Sequence, residues 1–132
     1  MNNREIKFRI WDNHTKHFAT CVYETNKDCY LCIGRSGYVT AFNCYGEEID
    51  FQDGRFIIQQ YTGLKDSKGI EIYEGDIVDC KYDDEKVIAE IKYSEEYAAF
   101  LCGENALWQG WLGKAEIIGN IMQNPELIKN DE

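Results

Sequence analysis

Proline is nearly missing from this sequence: one residue in 132, at position 125. With so few breakers, the chain holds no proline-rich linker, and no composition shift marks a domain boundary. Long apolar runs are missing as well. No segment approaches the roughly 20 apolar residues a membrane helix needs. The N-terminal MNNREIKFRIWD lacks the apolar stretch of a signal peptide. A cytoplasmic protein without membrane association is therefore expected. Bases are scarce, with 14 Lys and Arg against 24 Asp and Glu and a net charge of −10. Affinity for a phosphate backbone comes chiefly from Lys and Arg displacing counterions, so no direct nucleic-acid binding is expected. The common catalytic signatures are also lacking. The sequence contains no phosphate-binding loop, no GxSxG elbow and no HExxH helix, so no catalytic residue is assigned and no cofactor is expected.

What is present points to strands. Apolar residues make up 44% and aromatics 14%, enough for a packed core without disulfide or metal staples. Nine tyrosines, with many Ile, Val, Phe and Thr, suit pleated, half-buried surfaces. Ile6, Phe8 and Ile10 alternate with Lys7 and Arg9, which is the period of a half-buried strand. Thr20 to Thr25 and Cys29 to Ile33 read as a hairpin across Asn26-Lys27-Asp28. Gly37 to Asn43, Ile49 to Phe51 and Arg55 to Tyr61 follow as further extended pieces. Asp66-Ser67-Lys68-Gly69 has the residues of a type I turn closed by a glycine at positive φ. Ile70 to Tyr73 resumes the strand, Glu74-Gly75-Asp76 turns it, and Ile77 to Tyr82 leaves that turn. Asp83-Asp84-Glu85 reverses the chain into Val87 to Tyr93, with Val87, Ala89, Ile91 and Tyr93 expected on the buried face. Ala98 to Cys102 and Ile117 to Ile121 complete the set. Asn124-Pro125 pairs an N-cap residue with proline at the first helical position and predicts a short terminal helical turn. The expectation is an all-β fold of about eight to ten short strands in small barrels or packed antiparallel sheets. An SH3-like barrel would fit the C-terminal half. The chain reads as one domain over 1–132, with subdomains at 1–58 and 59–132. Strand edges left open would let copies pair into a homo-oligomer.

Metal and redox chemistry find little support in the spacing. Cys29 and Cys32 have a knuckle-like gap, but Cys21, Cys44, Cys80 and Cys102 supply no second pair. On a strand, positions 29 and 32 point to opposite faces. Small buried thiols are the better reading, and no metal site is assigned. His14 and His17 lie in a polar loop and read as solvated.

The negative charge is concentrated. Residues 1–70 hold nine acids and nine bases, whereas residues 71–96 hold ten acids against Lys81, Lys86 and Lys92. Such a region would attract a basic protein partner, and the attraction would weaken with salt. In one version Asp83, Asp84, Glu85, Glu95 and Glu96 stand in for the phosphates of a nucleic acid. An alternative reading makes YTGLKDSKGIEIYEGDIV, residues 61–78, a ligand- or divalent-metal-binding or catalytic turn region. The candidate binding residues are then Tyr61, Asp66, Glu74 and Asp76. Turns, however, select Asp and Gly for backbone reasons alone. Trp108 and Trp111, in the Gly-broken LWQGWL, are a further candidate binding surface, although closing a core is the commoner use of such residues.

Three segments, REIKFRIWD, QYTGLKDSKGIEIYEGDIV and EIIGNIMQNPEL, stand in that order and resemble the YopX family of small phage and prophage proteins. The resemblance spans most of the chain, though residues 18–52 carry no family pattern. It implies a mostly β fold and a phage-derived protein in a bacterial cytoplasm. It brings no catalytic residues, because no biochemical activity is attached to the family. With that, the favoured function is a non-catalytic interaction module with an acidic face.

Overall fold

A computed structural model describes residues 4–19, 29–34, 37–43, 45–81, 84–106 and 112–129. The fold is nearly all-β, built of antiparallel sheets of which one curls into a half-barrel. Two compact units divide the chain: residues 8–59, and residues 1–7 with 60–132.

The 8–59 unit contains β1 (Phe8–Asp12), β2 (His17–Ala19), β3 (Cys29–Ile33), β4 (Val39–Asn43), β5 (Glu48–Ile49) and the first residues of β6 (Phe56–Lys65). β1 and β2 form a hairpin that sets Ile10 opposite Ala19 and Asp12 opposite His17. β3, β4 and β5 form a three-stranded antiparallel sheet. The strand paired with β3 is thus β4, while the expected partner at Thr20–Thr25 lies outside the described residues. Ile10, Leu31 and Ala41 make the core, with Ile33, Val39, Ile49, Phe51 and Phe56 packed around it.

β1 departs from simple alternation. Ile6 and Phe8 are exposed, yet Ile10, Trp11 and Asp12 are buried in succession. The reason is that both sides of the end of β1 are covered. The Trp11 ring stands edge-on to Phe18 at 5.0 Å. Asp12 takes Arg55 Nε and Nη2 at 2.9 Å each, a fork-shaped ion pair. Burial alone would raise the Asp12 pKa, but the Arg55 guanidinium and the His14 N–H outweigh it and hold the carboxyl at about 2.

The other unit carries the rest of β6, then β7 (Glu71–Tyr73), β8 (Asp76–Asp79), β9 (Ile88–Ser94), β10 (Ala99–Cys102), β11 (Asn105–Ala106), β12 (Glu116–Asn120) and a terminal helix, α1 (Glu126–Lys129). Its five-stranded sheet runs β11-β10-β9-β8-β12. Ile72, Val78, Cys80, Ile91, Cys102, Leu112 and Ala115 form a core in which none is more than 2% exposed. At about 25 cal/mol per Å² of apolar surface removed from water, each large member contributes roughly 1.5–3 kcal/mol.

β9 also corrects a sequence expectation. Ile91 is fully buried, but Val87 and Tyr93 are exposed and the Glu90 side chain is largely covered. Burial accordingly pushes the Glu90 carboxyl above its usual range, with Lys92 opposing. The neighbours Glu90 and Ile91 are both covered, so both faces of this strand are partly buried and strict alternation fails. Twelve strands occur among the described residues, more than expected, because β2 and β11 are too short to show a period. The NPEL segment folds back onto β12. Asn124 Oδ1 accepts the Asn120 N–H at 3.2 Å, while its carbonyl receives Leu127 N at 3.1 Å. A Cβ at Gly119 would stand 2.8 Å from both Asn124 Oδ1 and Leu127 Cδ1, so this close approach requires glycine.

Candidate functional site

The 61–78 stretch builds β6, β7 and the start of β8, and its polar residues are largely consumed in doing so. Asp66 follows β6 and is 5% exposed. Its Oδ1 accepts Lys68 N and Ile70 N at 2.9 Å each, and its Oδ2 accepts Ile117 N at 3.1 Å. One carboxylate therefore closes the turn and ties it to β12. Burial opposes ionisation, but these N–H groups prevail and lower the Asp66 pKa. Gly69 takes the left-handed φ of 79° that the turn needs.

The second turn repeats the device. Asp76 Oδ2 accepts Tyr73 N at 2.8 Å, and Asp76 Oδ1 lies 3.4 Å from Asn120 Nδ2. Gly75, at φ 88°, donates its N–H to Ile91 O and receives Ile121 N on its carbonyl. The turn thereby contacts β9 on one side and the end of β12 on the other. Glu74 Oε1 accepts Gln60 N at 3.1 Å. Tyr61 is buried against Tyr73, ring centroids 5.5 Å apart, with the Lys7 ammonium 5.5 Å from its ring centre. Burial raises the Tyr61 hydroxyl pKa, and the charges of Glu71 and Glu5 add to it. Lys7 pairs with Glu71, and that hydrogen bond raises the Lys7 pKa.

An open cavity of about 720 Å³ lies in the same unit. Gln60, Thr62 and Leu64 line one side of it, two residues apart along β6 and so on one face of the strand. Tyr93, Ala98, Ala99 and Phe100 come from the β9–β10 hairpin, where the Tyr93 and Phe100 rings meet edge-on at 5.3 Å. Arg4 and Glu74 also line it. The volume lies in the range of small-molecule and peptide pockets. At the hairpin tip, Glu95, Glu96 and Tyr97 are exposed, and Ala98 adopts a left-handed φ of 51°.

Of the described candidate residues, only Glu74 lines this cavity. Tyr61 is buried beside it in sequence, while Asp66 and Asp76 serve the two turns. Trp108 and Trp111 lie outside the described residues. Cys32 is exposed on β3, and no group of three or more His, Cys, Asp or Glu residues suited to a metal ion occurs among the described residues. Of the acids in residues 71–96, Asp76 and Asp79 are buried, Glu71 is paired, and Asp84, Glu85, Glu95 and Glu96 are exposed. The available charge thus sits at two hairpin tips. The cavity itself was not foreseen. Its only sequence signal is the same-face run Gln60, Thr62, Leu64, and the opposing hairpin carries no motif.

The family model described as YopX protein matches residues 7–129. Among solved structures, the crystal structure of protein EF1440 from Enterococcus faecalis is similar at 27% identity and a TM-score of 0.63, over 96% of this chain and 99% of that one. Protein yopX from Bacillus subtilis is similar in fold at 22% identity and a TM-score of 0.58, over 91% of this chain and 95% of that one. No curated protein matches. Among the described residues no helix is long and apolar enough to cross a membrane.

Proposed function

The chain belongs to the YopX family, and from that premise we propose that it is a non-catalytic protein-interaction module. Its contact face is the β9–β10 hairpin with the cavity beneath it, and its partner is a basic segment of another protein. One observation carries this reading. The motif's carboxylates, Asp66 and Asp76, are spent on backbone and amide donors, whereas the hairpin presents Tyr93, Glu95, Glu96 and Tyr97 to solvent beside an open cavity. Aromatic rings with acidic neighbours suit the apolar stems and cationic heads of Lys and Arg. The family resemblance implies a phage-derived protein, and a phage or host protein is then the fitting source of that segment. A second reading, a small ligand in the same cavity, draws on Arg4 and Glu74 lining it together.

The test is an NMR titration of the labelled full chain with an Arg- and Lys-rich peptide, at about 0.05 and about 0.5 M salt, on either side of strong screening. Shifts should gather at residues 93–100 and at Thr62, fade at high salt, and vanish in Glu95→Lys/Glu96→Lys. Shifts elsewhere, or none, would overturn the reading. Salt-independent shifts confined to Arg4, Gln60 and Glu74 on adding small ligands would favour the second.

A further inference from the structure

The strongest unassigned feature is a pair of buried thiols that the sequence keeps 22 residues apart. Cys80 and Cys102 have their Sγ atoms 3.5 Å from each other and are 2% and 1% exposed. Cys80 follows β8 and donates its N–H to Val87 O at the entrance to β9. Cys102 closes β10 opposite Ile91 of β9. β9 lies between β8 and β10 in the sheet, so the two sulfurs meet from strands that do not pair with each other. Either sulfur alone would fill apolar space as a small hydrophobe does. Two sulfurs in contact, by contrast, are one small displacement from a bond.

We propose that Cys80 and Cys102 form a thiol–disulfide site whose oxidation ties β8 to β10 across β9 and locks the five-stranded sheet. The oxidant is a small hydroperoxide, with hydrogen peroxide as the simplest case. The Cys80 thiolate attacks one peroxide oxygen and the O–O bond breaks. The departing hydroxide takes up the thiol's proton as water, and Cys80 becomes a sulfenic acid. The Cys102 sulfur then displaces that hydroxyl, loses its own proton, and forms the S–S bond with release of a second water. Two thiols give up two electrons, and one peroxide is reduced to two waters.

The order of attack follows from the contact. The hydrogen bond between the sulfurs lowers the Cys80 thiol pKa, against burial, and raises that of Cys102, to which burial adds. This direction favours Cys80 as the first nucleophile, and attack in the other order gives the same bond and the same two waters. The bond closes a loop of chain that contains all of β9, which restricts the unfolded ensemble and favours the folded state.

The experiment uses the full chain, reduced with dithiothreitol and then titrated with hydrogen peroxide. The products are alkylated in denaturant, digested and mapped by mass spectrometry. The expected product is lighter by two hydrogens, carries linked peptides holding Cys80 and Cys102, melts at a higher temperature than the reduced chain, and reverts with dithiothreitol. A second chain, with Cys21, Cys29, Cys32 and Cys44 all replaced by serine, should give the same link and the same rise. Linkage of either sulfur mainly to another cysteine would overturn the proposal. So would failure to form a link while circular dichroism shows the chain folded, or a link that leaves the melting temperature unchanged.

Discussion

Residues 8–59 and the unit made of residues 1–7 and 60–132 hold their buried polar groups by different means. In the first, Asp12 accepts the His14 N–H but is matched chiefly to the Arg55 guanidinium, charge against charge, at the end of β1. In the second, Asp66, Asp76 and Asp79 accept backbone N–H groups from turns and strand ends. A buried ion pair concentrates its risk in two side chains, because removing either leaves the other charge uncompensated. Carboxylates set on main-chain donors distribute it over the backbone that they organise. The main apolar clusters differ in the same sense, 0–2% exposed in the second unit against 2–6% in the first, although Trp11 at 1% and Tyr61 at 6% lie outside those clusters and run the other way. The lesson is that the sequence-distinctive motif lies where side chains fix the backbone, not where they face solvent.

The largest expected effect breaks the first device. Arg55→Ala would leave Asp12 buried without its partner, at a cost of about 3–5 kcal/mol. Hydrogen exchange should then accelerate through residues 8–19 and 45–59 while residues 71–79 remain protected. Equal acceleration in both units would erase the distinction. The same pair sets an acid limit. The folded Asp12 pKa is depressed from 3.8 to about 2, so its stabilisation is complete above the unfolded value and is lost as pH falls through about 2. That contribution amounts to about 2 kcal/mol. Urea midpoints measured between about pH 5 and 2 should fall less in Asp12→Asn than in the parent chain.

Next in size is Asp66→Ala, which strips acceptors from the N–H groups of Lys68, Ile70 and Ile117. Two of these residues are exposed and their amides can turn to water, so the expected loss is about 2–3 kcal/mol. Exchange should quicken at residues 66–71 and at Ile117 together, since one carboxylate serves both. A loss below about 1 kcal/mol would mean that the turn holds its shape without the side chain.

How much of this was legible follows from where each signal resides. The turns at Asp66–Gly69 and Glu74–Asp76 could be read because backbone demands select residue types locally. So could the strands that alternate, and the short terminal helical turn that Asn124-Pro125 announces. The burial of Ile10, Trp11 and Asp12 in a row could not, since it depends on Phe18 and on Arg55, 43 residues downstream. The acidic stretch misled for the same reason: composition counts Asp76 and Asp79 as surface charge, whereas the fold turns them inward. The cavity and the Cys80–Cys102 contact depend on how β6, β8, β9 and β10 come together, and no short-range pattern encodes that. Spacing singles out Cys29 and Cys32, which period-two geometry sets on opposite faces of a strand, whereas no spacing singles out Cys80 and Cys102, whose sulfurs meet across 22 residues.

The smallest effect sharpens the comparison at the hairpin that the second unit leaves open. Ala98 sits at φ 51°, a left-handed conformation that costs an L-residue roughly 1 kcal/mol and glycine almost nothing. A chain selected only for stability would place glycine here, as it does at Gly69 and Gly75. Ala98→Gly should therefore stabilise by about 0.5 kcal/mol, the relief of strain being partly offset by the greater freedom of glycine when unfolded. If Ala98 is retained because its methyl group lines the cavity, the same substitution should weaken capture of the basic peptide even as the melting temperature rises. Stability and binding that rise together would instead place Ala98 outside the contact face and confine the hairpin's part to Tyr93, Glu95, Glu96 and Tyr97.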